Sequence, residues 1–459
     1  MMSLIGSKIA ESSEIKNLVN QLTKAVQDIN QNIEGPRDVD PSLEKNNKDL
    51  VDDVCNSRGR PLFYPYIGTG AGRGPYVELH DGSVKLDLIN GIGIHIFGHS
   101  HPELMAATIQ GALSDIIVQG NLQPNDEYLK LTRRLAEIAS RNSRLKHAWL
   151  TTSGSMANEN ALKMARQKNS PARKVIAMKA AFAGRTTMMA EITDNPAFKQ
   201  GLPDYDEVLR IPFYDRNDPQ SIEKSVALFK EHVEKNKNDI CAFIFEPMQG
   251  EGGYNVAPRE FFIPLFEICR ENNIAIWADE VQTFCRTGEF FAFETLGIGE
   301  YIDLCTVAKT LQNGATLFTE EYNPQPGLIA GTFSGSSPTL NAGLKVLDIL
   351  ENEGYLGPEG KIAKIHNEFI AMLNRLNETS CKGLLQDAGG MGLMVAVTPL
   401  DGTKEKMLEL LKVLYKNGLM TFGCGRGPFR LRFLLPAIMS TEDIKIAEKI
   451  IEKSVLEMA

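Results

Sequence analysis

The sequence holds little that would staple a chain, span a membrane or follow a nucleic acid. Its seven cysteines, at 55, 241, 269, 285, 305, 381 and 424, are odd in number, widely scattered and form no CxxC pair. That argues against a disulfide framework and against a metal site, and it makes most of them small buried hydrophobes. The longest apolar runs, such as 241–245, fall far short of the roughly 20 residues a membrane span needs. The N-terminus has no cationic start followed by an apolar block, so a cytoplasmic protein with no membrane contact is expected. No segment gathers Lys and Arg into a stripe: 49 basic residues face 58 acidic ones, a formal net charge of −9, which speaks against a nucleic-acid partner. Glycine (39) and proline (22) are spread along the chain, which excludes collagen-like and low-complexity readings.

What is present is a chain of 459 residues, 43% hydrophobic and 23% charged, with ample length for a large core. Ile15, Leu18, Val19, Leu22, Val26 and Ile29 recur at helical spacing and predict an amphipathic helix that needs something to cover it. The polar stretch 30–48, with Gly35-Pro36 and Pro41, reads as an irregular connection. From Tyr76 the pattern becomes regular. Runs at 76–79 and 85–88 flank Asp81-Gly82 as a β-hairpin does. Apolar runs at 147–151, 174–178, 240–245, 274–278 and 302–307 alternate with amphipathic segments, which predicts an α/β fold with a largely parallel sheet covered on both faces. After about residue 341, helical patterns at 342–353, 361–377, 404–417 and 441–458 enclose short strands at 392–397 and 431–434. The expected division is therefore an N-terminal extension (1–75), a large domain (76–340) and a smaller α+β C-terminal domain (341–459).

Two motifs suggest chemistry and do not support it. Gly68-Thr69-Gly70-Ala71-Gly72-Arg73-Gly74 matches neither GxGxxG nor the Walker pattern, and Pro75 and a strand follow where a dinucleotide fold has a helix, so a flexible turn is expected. His99-Ser100-His101 lacks a nearby Cys or carboxylate cluster, so a capping or packing role is expected and no metal is assigned.

Three others converge. The strand at 147–151 runs into Thr152-Ser153-Gly154-Ser155 and then a helical stretch, 156–167, which presents free N–H groups and a positive dipole end to an anion. The run 274–278 ends in Asp279-Glu280 at a strand terminus, where open α/β sheets hold ligands. The run 302–307 ends at Lys309, whose desolvation would favour Schiff-base chemistry. Positions 279 and 309 are one strand–helix–strand unit apart, which puts both at the same sheet edge. A lysine for the aldehyde, an aspartate for the pyridine nitrogen and a helix N-terminus for the phosphate together make a pyridoxal phosphate site.

The chain resembles the class III (ω-amino acid) aminotransferases of pyridoxal phosphate fold type I, the family of ornithine, acetylornithine, 4-aminobutyrate and lysine ε-aminotransferases. The likeness covers about residues 75–440. It rests on Gly91-Ile92-Gly93, Gly98-His99-Ser100-His101-Pro102, Ser153-Gly154 with Ala157-Asn158-Glu159, Phe182-Ala183-Gly184-Arg185-Thr186, Glu246-Pro247-Met248-Gln249-Gly250-Glu251-Gly252-Gly253, Asp279-Glu280-Val281-Gln282-Thr283, Ala308-Lys309, Thr332-Phe333 and Arg432-Phe433. The resemblance implies that Lys309 forms the Schiff base and then moves the proton, and that Asp279 pairs with the pyridinium nitrogen. It implies that Gln282 contacts the ring hydroxyl, that Val281 and Phe182 cover the two ring faces, and that Glu246 belongs to the cofactor site. Ser153, Gly154 and Ser155 would hold the phosphate, with Thr332 reaching the phosphate of the other subunit in a homodimer. Arg185 would bind the donor's remote carboxylate, while Arg432 would bind the α-carboxylate of 2-oxoglutarate or glutamate, masked in the other half-reaction by Glu251.

The implied function is a ping-pong aminotransferase using an ω-amino donor and 2-oxoglutarate. An aminomutase or decarboxylase of the same fold is the alternative, and a switchable Glu251–Arg432 pair argues against it because it is useful only when two substrates share a site. A non-catalytic relative is disfavoured by the presence of both Lys309 and Asp279. The sequence departs from the family at Ala183, where His or Trp is usual, so a more open pocket is expected on that side. It departs again at Thr283-Phe284-Cys285-Arg286-Thr287-Gly288, one residue shorter than the family loop.

Overall fold

The computed structural model describes residues 4–120 and 122–459. The chain divides into two compact units, one of Gly111–Gly360 and one that joins Met1–Gln110 to Lys361–Ala459.

The first unit is built on a seven-stranded sheet, in the order His147–Thr151, Gly314–Phe318, Leu304–Val307, Ala275–Asp279, Ile240–Phe245, Lys174–Met178, Val208–Ile211. All neighbours run parallel except Gly314–Phe318, which is antiparallel to both strands beside it. Every residue of Ile240–Phe245 and of Ala275–Asp279 is buried, as a parallel strand covered on both faces requires. The helix Gly154–Lys168 lies on one face through Ala157, Ala161, Met164 and Ala165, and the helix Arg259–Glu271 buries Phe262 and Phe266 against Phe245. Short strands Val118–Gln119 and Gly335–Ser336 pair separately in the same unit.

The second unit carries two four-stranded sheets. One joins Gly68–Arg73, Tyr76–Leu79 and Val84–Asp87 to Leu419–Met420, and the other orders Leu385–Met391, Met394–Pro399, Arg430–Leu434, Phe422–Cys424. The glycine-rich 68–74 segment is thus a strand and not a turn: it pairs antiparallel with Tyr76–Leu79, its register broken by a bulge between Gly68 and Gly72. The stretch expected to be irregular gives way at Glu44 to a helix, Glu44–Arg58, that ends on left-handed Gly59. The amphipathic helix forms as Ser13–Asn30, with Ser12 as its cap, but only Val19 of its apolar face is buried while Leu18, Leu22 and Ile29 stay exposed. At 90–93 four successive residues have positive φ (48, 62, 60 and 83°), a left-handed turn held by Asp87 Oδ1, which accepts from the N–H of Ile89 and of Asn90 at 2.9 Å each.

Candidate active site

Parallel pairing sets Thr306 opposite Asp279, so Lys309, three residues beyond Thr306, leaves the sheet at the edge where Asp279 ends its strand. Asp279 is 4% exposed. Its Oδ2 accepts from Asn158 Nδ2 at 2.7 Å and its Oδ1 from the Val281 N–H at 3.0 Å. Asn158 also donates to the Ala183 carbonyl at 2.7 Å and accepts from Thr306 Oγ1 at 2.6 Å, and Thr306 Oγ1 in turn accepts from Trp277 Nε1 at 3.3 Å. A helix, two strands and a loop are thereby tied to one carboxylate. Burial raises Asp279 to about 6; the hydrogen bonds from Val281 and Asn158, and the charge of Lys309, pull it down.

The adjacent acid has a different task. Glu280 is fully buried, accepts from Thr283 Oγ1, and takes the Ala292 and Phe293 N–H groups at 2.9 Å each. It anchors the start of the helix Ala292–Thr295 and is pushed up to about 7 by burial. In the shortened loop that follows, the buried Arg286 donates back to the Gln282 carbonyl at 2.6 Å, and burial lowers it to about 10.

Lys309 opens a 3₁₀ turn, Lys309–Leu311, with φ of +52°, a left-handed conformation that lysine rarely adopts and that costs of order 1–3 kcal/mol. Glu246, at the end of the neighbouring strand, accepts from the Phe182 N–H at 3.1 Å and the Gly250 N–H at 2.9 Å. Burial raises it to about 8, with the charge of Asp279 pushing the same way. A Cβ at Gly250 would stand 2.3 Å from Gln282 Oε1, so the turn needs glycine for Gln282 to lie there. That Gln282 oxygen is buried and has no hydrogen-bond partner among the described residues.

At the predicted phosphate end, Ser153 caps the helix Gly154–Lys168 by accepting from the Met156 N–H at 3.3 Å. The first-turn N–H groups, those of Gly154 and Ser155 among them, have no helical acceptor. A Cβ at Gly154 would meet Val281 Cγ1 at 2.6 Å, so glycine here lets Val281 lie against the start of the helix.

The remaining predicted residues lie further out or elsewhere. Arg185 is exposed, and its guanidinium lies 3.8 Å from the centre of the Phe198 ring. Phe182 meets the same ring edge-on at 6.1 Å. Glu251 is half-buried and Thr332 exposed. Ala183 does not open the pocket: it is 4% exposed and belongs to the hydrophobic core with Met188, Met189 and Ile192. Arg432 belongs to the other unit, where it is buried in Arg430–Leu434 with its guanidinium 5.5 Å from the Phe422 ring. The sequence reading gave no role to Asn158, Thr306 or Phe198. Asn158 stood within a quoted motif, but only the fold brings it to Asp279.

The family profile described as aminotransferase class-III matches residues 63–455. A 4-aminobutyrate aminotransferase of Mycobacterium leprae is 31% identical over 411 residues, 84% of this chain and 90% of that protein. An acetylornithine aminotransferase of Caldanaerobacter subterraneus is 29% identical over 399 residues, 84% of this chain and 94% of that protein. The solved structure of a lysine aminotransferase from M. tuberculosis, in its internal aldimine form, matches with a TM-score of 0.80 at 22% identity, over 89% of this chain and all of that one, which bears on the fold. Matched by that profile along most of its length, the chain belongs to the class-III aminotransferases and is a transaminase of fold type I whose cofactor is pyridoxal phosphate.

Proposed function

We propose that the enzyme moves an amino group from an ω-amino acid donor of the ornithine, N-acetylornithine, lysine or 4-aminobutyrate class to 2-oxoglutarate by a ping-pong mechanism, acting as a cytoplasmic homodimer. The observation that carries this reading is the shared sheet edge of Asp279 and Lys309, with an exposed guanidinium, Arg185, on the rim of the same unit.

The residues fit the cofactor. A buried carboxylate raised to about 6 is stabilised by a cationic partner, which a protonated ring nitrogen provides. Among the described residues the buried Gln282 Oε1 lacks a donor, which the ring hydroxyl provides. Gly154 and Ser155, next to the Ser153 cap, offer N–H groups to the phosphate. Val281 and Phe182 take the ring faces, and Glu246 supports them by holding the Phe182 backbone and the Gly250 turn. When bound, the cofactor supplies an aldehyde for amines and a ring that accepts an electron pair.

The chain's own part is to hold and move protons and carboxylates. Lys309 Nζ takes the proton from the donor's amine-bearing carbon and returns one on the other side of the exchange. Asp279 keeps the ring nitrogen protonated throughout. Arg185 binds the donor's remote carboxylate and Arg432 the α-carboxylate of the acceptor. Support for a homodimer comes from exposed apolar Leu113, Ile117, Val118, Leu122 and Phe333, in the segments that carry the paired strands Val118–Gln119 and Gly335–Ser336. Thr332 lies exposed among them, available to the phosphate site of a second copy. The cytoplasmic assignment leans on seven free cysteines.

Ornithine, N-acetylornithine, lysine, 4-aminobutyrate and β-alanine, each tried with 2-oxoglutarate, test the proposal. One of them should bleach the visible cofactor band and 2-oxoglutarate should restore it with release of glutamate. A band that no donor bleaches would sink the transfer reading, and restoration only by another keto acid would replace 2-oxoglutarate.

A further inference from the structure

We propose that Phe198 is the positioning residue that sets where Arg185 can take a donor carboxylate, and through that which donor lengths are accepted. This rests on the reading of Arg185 as the donor-carboxylate group.

Arg185 is exposed and carries a long, rotamer-rich side chain, and no carboxylate among the described residues forms an ion pair with it. What orients it is a ring: the guanidinium carbon lies 3.8 Å from the Phe198 centroid. Stacking occupies a guanidinium face and leaves the in-plane N–H groups free, so Arg185 keeps the fork that binds a carboxylate through two parallel hydrogen bonds. The opposite demand falls on Phe198, which must not move. It ends the 3₁₀ turn Pro196–Phe198, opened by proline and capped by Asn195, whose Oδ1 accepts from the Ala197 N–H at 3.1 Å. The Phe198 N–H donates to the Asn195 carbonyl at 2.9 Å, and Lys199 Nζ reaches the buried Glu191 at 3.1 Å.

The same segment is laced to the loop that carries Phe182 and Arg185. Asp194 N–H donates to the Ala181 carbonyl at 2.9 Å, and Asp194 Oδ2 accepts from the Ala180 N–H at 2.7 Å. Thr193 Oγ1 accepts from the Ala183 N–H at 2.9 Å and donates to the Gly184 carbonyl at 3.0 Å. Phe182 meets the Phe198 ring edge-on at 6.1 Å with planes at 90°. One fixed ring thus touches both the aromatic side chain assigned to the cofactor and the cation assigned to the carboxylate. Its position defines the distance between the two ends of a donor.

The test uses the cofactor-loaded enzyme with Phe198→Leu, which keeps apolar bulk but removes the ring, Phe198→Tyr, which keeps the ring, and Arg185→Ala. Butanoate affinity is measured by calorimetry, and steady-state kinetics are run with 4-aminobutyrate and with n-propylamine, which lacks the carboxylate. Phe198→Leu should weaken butanoate binding and raise the 4-aminobutyrate KM by about two- to fivefold, the order of a cation–π contact at an exposed site, with kcat within about twofold. Phe198→Tyr should behave as wild type, and n-propylamine should not distinguish Phe198→Leu from wild type. Should Arg185→Ala weaken butanoate while Phe198→Leu does not, or should Phe198→Leu slow n-propylamine equally, the positioning role is wrong and the role of Arg185 stands. Should Arg185→Ala leave butanoate binding unchanged, the carboxylate reading falls and this inference with it. If 4-aminobutyrate is not a donor, butanoate binding alone decides.

Discussion

Within residues 111–360 two parts of the site are held in opposite ways. At the strand ends, Asp279, Asn158 and Thr306 are buried and locked by hydrogen bonds of 2.6–3.0 Å, each group satisfying the next. At the rim, Arg185 faces solvent and is oriented by an aromatic face, with no ion pair to an acid among the described residues. The interior arrangement fixes charge where water cannot screen it, which makes each group costly to change. The rim arrangement is cheap to alter, because a stacked guanidinium keeps its hydration and can be re-aimed by moving one ring. Chemistry common to transaminases belongs in the first kind of setting, and choice of donor in the second.

The sharpest test of the interior is Lys309→Ala. Turnover should fall by more than about a thousandfold, since the variant loses both the covalent attachment and the base proposed for Lys309. Folding should survive, because Lys309 is half-buried and sits at a φ that strains alanine no more than lysine. Single-turnover kinetics with the preferred donor and a melting curve check both halves. An active variant would dissolve the distinction between interior and rim altogether.

Asp279→Asn comes next, with an expected loss of about 10²–10⁴-fold in kcat. The cofactor-free protein offers a second reading of the same carboxyl. Its folded value, about 6, lies above the ordinary 3.8, so folding disfavours its ionised form. The favourable contribution is complete below about pH 4 and disappears as pH rises through 6. Between pH 4.5 and pH 8, cofactor-free wild type should therefore lose about 2 kcal/mol of stability that Asp279→Asn does not lose. Urea unfolding of both proteins at the two pH values measures the difference. Parallel pH dependences would mean that the interior carboxyl is not held against its own desolvation.

Part of each region was legible in the sequence: Asp279 and Lys309 in the interior and Arg185 at the rim, but not Asn158, Thr306 or Phe198. Ile240–Phe245 is apolar at every position because both its faces are covered, and Asp279 and Lys309 stood out because each ends such a run. Gly314–Phe318 escaped notice: a short segment opening Gly-Ala-Thr reads as a loop, and it is a strand because it fills the gap between two others. Val208–Ile211 is a half-buried edge of four residues, and Glu44–Arg58 is a polar helix that buries only Asn47, so neither has the periodicity that marks an element. Ala183 misled for another reason. A small residue in a site motif suggested open space, but its side chain points into the core. The contacts of Asn158 and Phe198 depend on where separate segments meet, which no local pattern encodes.

Asn158→Ala separates the two regions by pH. Its hydrogen bond lowers Asp279 against burial, so its loss should raise Asp279 further and move the acid limb of the kcat/KM profile upward by about one pH unit. At neutral pH a loss of roughly tenfold in kcat is expected, on the order of one charge-assisted hydrogen bond. Phe198→Leu, acting at the rim, should leave that limb in place. A shift of the same size in both variants would show that ring and carboxyl are parts of one coupled unit.

The smallest effect is expected at Ser153, where the contrast between interior and rim is least obvious. Its side chain is exposed and its cap bond to the Met156 N–H is long, at 3.3 Å, so Ser153→Ala should destabilise the cofactor-free protein by about 0.5–1 kcal/mol. In the proposed site, phosphate binding draws on the backbone N–H groups of Gly154 and Ser155 and on the helix dipole, which alanine leaves untouched. Cofactor affinity, read from absorbance titration, should therefore weaken by less than about fivefold, the span of a neutral hydrogen bond. A hundredfold loss would instead place the Ser153 hydroxyl among the groups whose loss is as costly as in the strand-end network, and the division between the two regions would have to be redrawn with the phosphate end on the interior side.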